Sequence, residues 1–208
     1  MRFNEKGRSM IEMLGVLAIV GVLSVGGIAG YSKAMGKYKT NQLIAQITEM
    51  VIGIRTLYTS QKSYEGISVQ ALLDTGAIPS LMRNGNTDAT TAVHALGGQI
   101  MVFPSPTATQ EEGAFELYLA GIPEATCKVL AAIDWAQGTS SGFISMFVGT
   151  GNITERQMED TLTVADSHPD QGIYTAGSHE KGIPLSVAEI VEACDCPDTT
   201  CTIGLKYK

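Results

Sequence analysis

The hydrophobic pattern changes its period along the chain. Residues 13–32, MLGVLAIVGVLSVGGIAGYS, carry no charge, and one acid, Glu12, stands at the inner edge of the run. An apolar helix of about 20 residues spans a bilayer core. A carboxylate at the edge of that core costs several kcal/mol unless it is paired or neutralised. From Leu43 the pattern becomes one-sided. Leu43, Ile47, Met50/Val51, Ile54 and Leu57/Tyr58 recur at steps of three and four, which is one face of an amphipathic helix. Ala45, Gln46, Glu49 and Arg55 fall largely between them. No proline precedes Pro79, so nothing forces a break. The spacing predicts one helix from about residue 9 to about residue 60, about 75 Å long at about 1.5 Å per residue. Within it, Gly26-x-x-x-Gly30 either loosens the helix or lets a neighbouring helix approach closely.

Beyond residue 60 the pattern is mixed. Ser68–Asp74 reads as a helix ending at Gly76 and Pro79, and Arg83–Thr91 as a polar turn region. Gln99–Phe103, Ala114–Ala120 and Gly142–Val148 read as strands with partial alternation. Between the last two, Pro123–Trp135 reads as a helix with Cys127, Val129, Leu130 and Ile133 facing inward, and Trp135 as a core anchor at its end. Residues 149–184 are a glycine-containing, loop-rich excursion. Leu185–Cys194 reads as a short helix with a capping box from Ser186 to Glu189, and Thr202–Lys206 as a final strand. Neighbouring strands with helices to one side predict an α+β fold: a long N-terminal helix packed on an antiparallel sheet.

Composition narrows the function. Of 208 residues, 44% are hydrophobic and 17% charged, and the net charge is −7. Such a chain buries a core and is not disordered. An acidic domain without a basic stripe is not a nucleic-acid binder. His94, His168 and His179 are scattered in polar, loop-like sequence and read as surface residues, with no nucleophile and acid nearby to make a catalytic set. Gly149-Thr150-Gly151-Asn152 lacks the ending of a phosphate loop and reads as a turn. Asp166, Asp170, Asp195 and Asp198 lie in loops without an ordered calcium-ligand pattern. No catalytic residue, cofactor or metal is expected.

The N-terminus differs from a cleaved secretory signal, because its apolar stretch is long and no clear small-residue cleavage site follows. Instead Gly7, then Arg8, Ser9, Met10 and Ile11, then Glu12 and a long apolar helix, resemble the class III signal of type IV prepilins and pseudopilins. Downstream, Leu72–Pro79, Gly97-Gly98-Gln99-Ile100, Phe115-Glu116-Leu117, and Ile122-Pro123 leading to Cys127 resemble type IVb pilins of the PilS type. The resemblance implies a leader of residues 1–7 cut by a prepilin peptidase between Gly7 and Arg8. It implies a helix over residues 8–60, with its membrane half at about 13–32, and a globular head over residues 61–208. Arg8 departs from the Phe, Met or Leu that most family members carry after the cut. The implied partners are other copies of the chain, the peptidase, and an inner-membrane assembly platform with its ATPase. The implied location is the inner membrane, N-terminus cytoplasmic and head periplasmic, and then the pilus at the cell surface. On this resemblance Glu12 of an incoming subunit neutralises the new α-amino group of Arg8 on its neighbour. A local Arg8–Glu12 pair, four residues apart on one helix, is the simpler alternative.

The four cysteines, Cys127, Cys194, Cys196 and Cys201, are even in number and absent from the membrane segment, which fits disulfides in an oxidising compartment. The resemblance implies a Cys127–Cys194 bridge tying the C-terminal region to the domain body, with Cys196 and Cys201 then paired across a short loop. Four cysteines allow three connectivities, and a zinc site or free thiols at the last two remain open. The readings that stay alongside the pilin are a pseudopilin of a type II secretion system and an unassembled single-span membrane-anchored binding protein.

Overall fold

The computed structural model describes residues 10–84, 91–137, 141–149, 173–176, 182–196 and 199–208. The chain divides into two compact units, Met1–Asn41 and Gln42–Lys208. Helix α1 (Met10–Tyr58) is 49 residues long. In the second unit it buries Leu43, Ile47, Met50, Val51, Ile54 and Tyr58, the face that the spacing picks out. Tyr58 takes the last inward position and Leu57 stays partly exposed. Gly53 lies on this segment because the chain crosses it closely: a Cβ there would come within 2.8 Å of the Ala77 carbonyl oxygen. The usual cost of a mid-helix glycine, about 1 kcal/mol, is offset by that close approach.

The buried face of α1 shares one core with a six-stranded antiparallel sheet. Its strands are β1 (Ala92–Val93), β2 (Gln99–Thr107), β3 (Gln110–Pro123), β4 (Phe143–Gly149), β5 (Ile173–Thr175) and β6 (Thr200–Tyr207), in spatial order β1-β2-β3-β6-β4-β5. Short helices α2 (Val69–Asp74), α3 (Glu124–Ala131) and α4 (Val187–Ala193) complete it, with a 3-10 turn at Ser80–Met82. Ser68 caps α2, accepting from the Ala71 amide at 3.2 Å. Ser186 and Glu189 form the capping box of α4.

Some boundaries differ from the sequence pattern. β2 runs on past Phe103 through Pro104 and Pro106. Its neighbour β1 pairs only with Gln99 and Ile100, so the prolines lie beyond that pairing, where a missing donor costs least. Helix α3 stops at Ala131, and Trp135 lies past its end, its indole Nε1 donating to the Leu130 carbonyl at 3.1 Å. Val129 is 44% exposed rather than inward. It sits two residues from buried Cys127 and so on the opposite side of a helix. β1 and β5 were not legible as strands, and the proposed phosphate-loop-like turn at residues 149–152 lies mostly outside the described residues.

The last strand, β6, enters the middle of the sheet, between β3 and β4. Two disulfides hold the segment that delivers it. Cys127 on α3 is bonded to Cys194 at the end of α4, across 67 residues of chain, and Cys196 to Cys201 on β6, across 5. No cysteine is free, and no metal site is built from them.

The sheet is buried on both faces. Ala114 to Ala120 on β3 are buried without interruption, as are Cys201 to Tyr207 on β6. On the face turned away from α1, Glu116 and Lys206 are register partners on adjacent strands and are 0% and 1% exposed in their side chains, with Nζ 3.9 Å from Oε1. The Glu116 carboxylate also accepts from Ser105 Oγ at 2.5 Å and from the Tyr118 hydroxyl at 3.0 Å. Beside this set the rings of Tyr118 and Phe147 meet edge to face, 6.1 Å apart. Both flank Gly204 in register, where the absence of a side chain leaves them room.

Two measurements check these relations. Lys206→Met leaves a buried carboxylate without its cation and is expected to lower unfolding stability by about 3–5 kcal/mol, whereas Glu116→Gln/Lys206→Met together recover much of that loss; equal losses in the single and double variants, measured by urea denaturation, would contradict the pairing. Removing the long bridge (Cys127→Ser/Cys194→Ser) is expected to cost about 4 kcal/mol and the short one (Cys196→Ser/Cys201→Ser) about 2 kcal/mol, following closed-loop length; the reverse order in the same assay counts against a chain-entropy origin.

Candidate functional site

The described residues of the first unit form the N-terminal part of α1. Between Glu12 and Lys33 its surface is apolar on every side. Met10 to Ala34 are all exposed, including Ile11, Met13, Leu14, Val16, Leu17, Ile19, Val20, Val22, Leu23 and Val25 at 49–80%. A helix apolar all round belongs in a protein core or in lipid, and this one is long and apolar enough to cross a membrane, with none of that stretch buried by its own chain. Its one hydroxyl between Met13 and Gly30, Ser24 Oγ, donates to the Val20 carbonyl at 2.7 Å, so that hydroxyl does not need lipid to solvate it. A Cβ added at Gly15, Gly21, Gly26, Gly27 or Gly30 would meet nothing within 4 Å. The chain's own packing therefore does not require glycine at these positions.

Glu12 occupies the first turn of α1 and is exposed. A carboxylate at that end is favoured by the helix dipole. Gly7 and Arg8 lie outside the described residues, and so does any local Arg8–Glu12 pair. Lys33, Lys37 and Lys39 follow the apolar run, all exposed.

In the second unit, α1 is fastened by two polar side chains that periodicity placed merely between apolar ones. Gln46 Oε1 accepts from the Ala95 amide at 3.0 Å. Arg55 Nη1 donates to the Ser141 carbonyl at 2.9 Å. Arg55 also lies near Tyr64 and Tyr207: burial pushes both phenols up, and the guanidinium opposes the rise. A lone arginine in a stretch of apolar, threonine and tyrosine residues was the available signal, but spacing alone gives no partner. Tyr58, Tyr64, Phe115 and Tyr207 form a continuous aromatic chain from the end of α1 across the sheet, with centroids 5.1, 5.0 and 5.9 Å apart.

Of the other sequence candidates, Cys127, Cys194, Cys196 and Cys201 come together in the two bridges described above. His94, expected on the surface, is 3% exposed: its ring is turned in under a tight turn. His168, His179, Asp166, Asp170 and Asp198 lie outside the described residues, and Asp195 is exposed. Among the described residues no group of three or more His, Cys, Asp or Glu side chains could hold a metal ion.

Comparison with known proteins agrees with this arrangement. Residues 37–199 match the family model described as PilS N terminal. The chain is 28% identical over 198 residues to the major structural subunit of bundle-forming pilus of Escherichia coli O111:H-, covering 94% of this chain and 91% of that protein. It is 32% identical over 153 residues to the protein of the same name from Escherichia coli O127:H6, covering 72% and 75%. Among solved structures, TcpA, a type IV pilin from Vibrio cholerae El Tor biotype, shares the fold with a TM-score of 0.53 at 16% identity, over 82% of this chain and 99% of that one. The chain belongs to the type IV pilin superfamily as a type IVb pilin, a membrane-associated, self-associating structural subunit whose N-terminal helix serves assembly.

Proposed function

We propose that the chain is a prepilin that a prepilin peptidase cuts between Gly7 and Arg8, and that the mature protein polymerises into a pilus through its N-terminal helix. The observation that carries this reading is the all-round apolar surface of residues 13–32, uncovered by the rest of the chain, with a single acid, Glu12, just before it in the first turn. Before assembly the helix resides in the inner membrane, residues 1–7 on the cytoplasmic side and the head, residues 61–208, in the periplasm. An assembly platform and its ATPase then draw the subunit into the filament. The pairing of the relatives' names with pilus structure supports a role as the filament's building block.

Cleavage creates an α-amino group on Arg8. In the filament Glu12 of an incoming subunit pairs with that amine on its neighbour. In a surrounding of low dielectric such a pair is strong, and it sets the axial register between helices. The two disulfides keep the C-terminal strand in place in the oxidising compartment outside the membrane.

Mass analysis of the N-terminus of sheared filament protein is expected to find a chain that begins at Arg8; a chain that retains residues 1–7 in filaments would overturn the cleavage site. Glu12→Ala is expected to be cut normally, to remain in the membrane, and to yield few or no filaments by electron microscopy. Filament yield equal to the parent would refute the charge-pairing role while leaving the cleavage reading intact.

A further inference from the structure

We propose that His94 is an acid-sensitive latch: protonation of its ring breaks its hydrogen bond with the Leu96 amide and loosens the Ala95–Gly98 turn, while the Nε2–H bond to Ala120 on β3 is kept. The ring is buried, and both its nitrogens are engaged. Nε2 lies 2.8 Å from the Ala120 carbonyl on β3, and Nδ1 lies 3.2 Å from the Leu96 amide. A carbonyl only accepts and an amide N–H only donates, so the ring is neutral with its proton on Nε2. A second proton, on Nδ1, would point at the Leu96 N–H and replace a hydrogen bond with a donor facing a donor.

The turn around the ring is tight. The His94 amide donates to the Gly98 carbonyl at 3.0 Å, and the Gly97 amide donates to the His94 carbonyl at 2.8 Å. A Cβ at Gly98 would overlap both the Ala120 carbonyl oxygen and the imidazole, so the backbone there is pressed against β3. The next amide along, that of Ala95, donates to Gln46 Oε1 on α1. The imidazole therefore sits where one turn is joined to helix and sheet at once.

Among the described residues no neighbouring charge would relieve a cationic ring. Ala95, Leu96, Gly97 and Gly98 carry none, β2 begins with neutral Gln99, β3 offers Ala120 and Gly121, and α1 offers Gln46. Glu49, three residues further along α1, is exposed. Burial holds the imidazole below its ordinary pKa, and the Ala120 hydrogen bond only partly opposes this. The unfolded chain thus takes up the proton more readily than the folded one. The latch's contribution is complete above the ordinary histidine value of about 6.5 and is lost as pH falls through the lower folded value.

Hydrogen exchange of the full chain in detergent micelles, read by mass spectrometry at about pH 7 and about pH 5 and corrected for intrinsic rates, tests this. Peptides containing the Ala95 and Leu96 amides are expected to lose protection by about tenfold at the lower pH, with β3 and β6 peptides unchanged. His94→Gln, which keeps a donor and an acceptor, is expected to remove that pH response. Unchanged protection in the parent, or the same acid response in His94→Gln, overturns the proposal. Should the variant not fold, imidazole nitrogen chemical shifts of the parent decide: a neutral Nε2–H ring at pH 7 that titrates together with the exchange change supports the latch, and an Nδ1–H or already cationic ring at pH 7 overturns it.

Discussion

One uninterrupted helix has to satisfy two different surroundings, and the rest of the structure follows from how it does so. Over residues 13–32 it presents apolar side chains in every direction and nothing of its own chain covers them. From Leu43 the apolar residues narrow to a single stripe, and that stripe is the floor of the head's core. The change is made without a proline. Lys33, Lys37 and Lys39 supply the charge that marks where the apolar run ends, as basic residues do at the boundary between lipid and water. Helix propensity alone does not hold the second part in place: Gly53, Thr48 and Thr56 weaken it. Packing of the stripe, the Ala77 contact at Gly53, and the Gln46 and Arg55 hydrogen bonds do.

The head answers a second constraint, which is that the middle of its sheet is filled by the C-terminal strand. β6 is the C-terminal strand, yet it lies between β3 and β4 and carries much of the buried surface on both faces. Until it is inserted, β3 and β4 have no partner between them and Glu116 has no Lys206. Such non-local pairing has a high loop-closure cost. The Cys127–Cys194 bridge shortens the effective loop, and the Cys196–Cys201 bridge fastens the start of β6 to the same place. The small size of α4, which buries no residue of its own completely, is then understandable: it is held by its cap and its covalent link more than by a core.

The helix stripe, α2, the capping box and four of the six strands were legible because each leaves a local mark: a period of three to four, a Ser three residues before a Glu, a run of β-formers. What was missed is non-local. β1 and β5 are two and three residues long and exist because longer neighbours pair with them. Glu116, Lys206 and Ser105 look like the solvent face of alternating strands, and nothing nearby in sequence says that this face is buried too. His94 stands among Thr, Ala and Gly residues that suggest a surface loop; its burial depends on Ala120, 26 residues away. The connectivity of the cysteines was open by count, and Gln46 and Arg55 gave no hint of the carbonyl and amide that they meet. For the assembly surface the position was reversed. The apolar run of residues 13–32 could be read directly, because a surface that the chain itself leaves uncovered carries its character in its own composition.

That same surface raises the question of what moves the helix from lipid into a filament. Lipid tails are as apolar as leucine, so leaving the bilayer for a bundle of like helices yields no hydrophobic gain. Direction must come from terms that differ between the two surroundings. One is close packing: the exposed glycines of residues 15–30 have no neighbour within their own chain and offer flat ground to another helix. The other is charge. A carboxylate beside lipid is costly, and on the proposed pairing with a neighbour's ammonium Glu12 would supply a driving force that no apolar side chain in this helix can. On that proposal, an acid that would be a defect in a permanent membrane anchor is what would make residence in the membrane temporary.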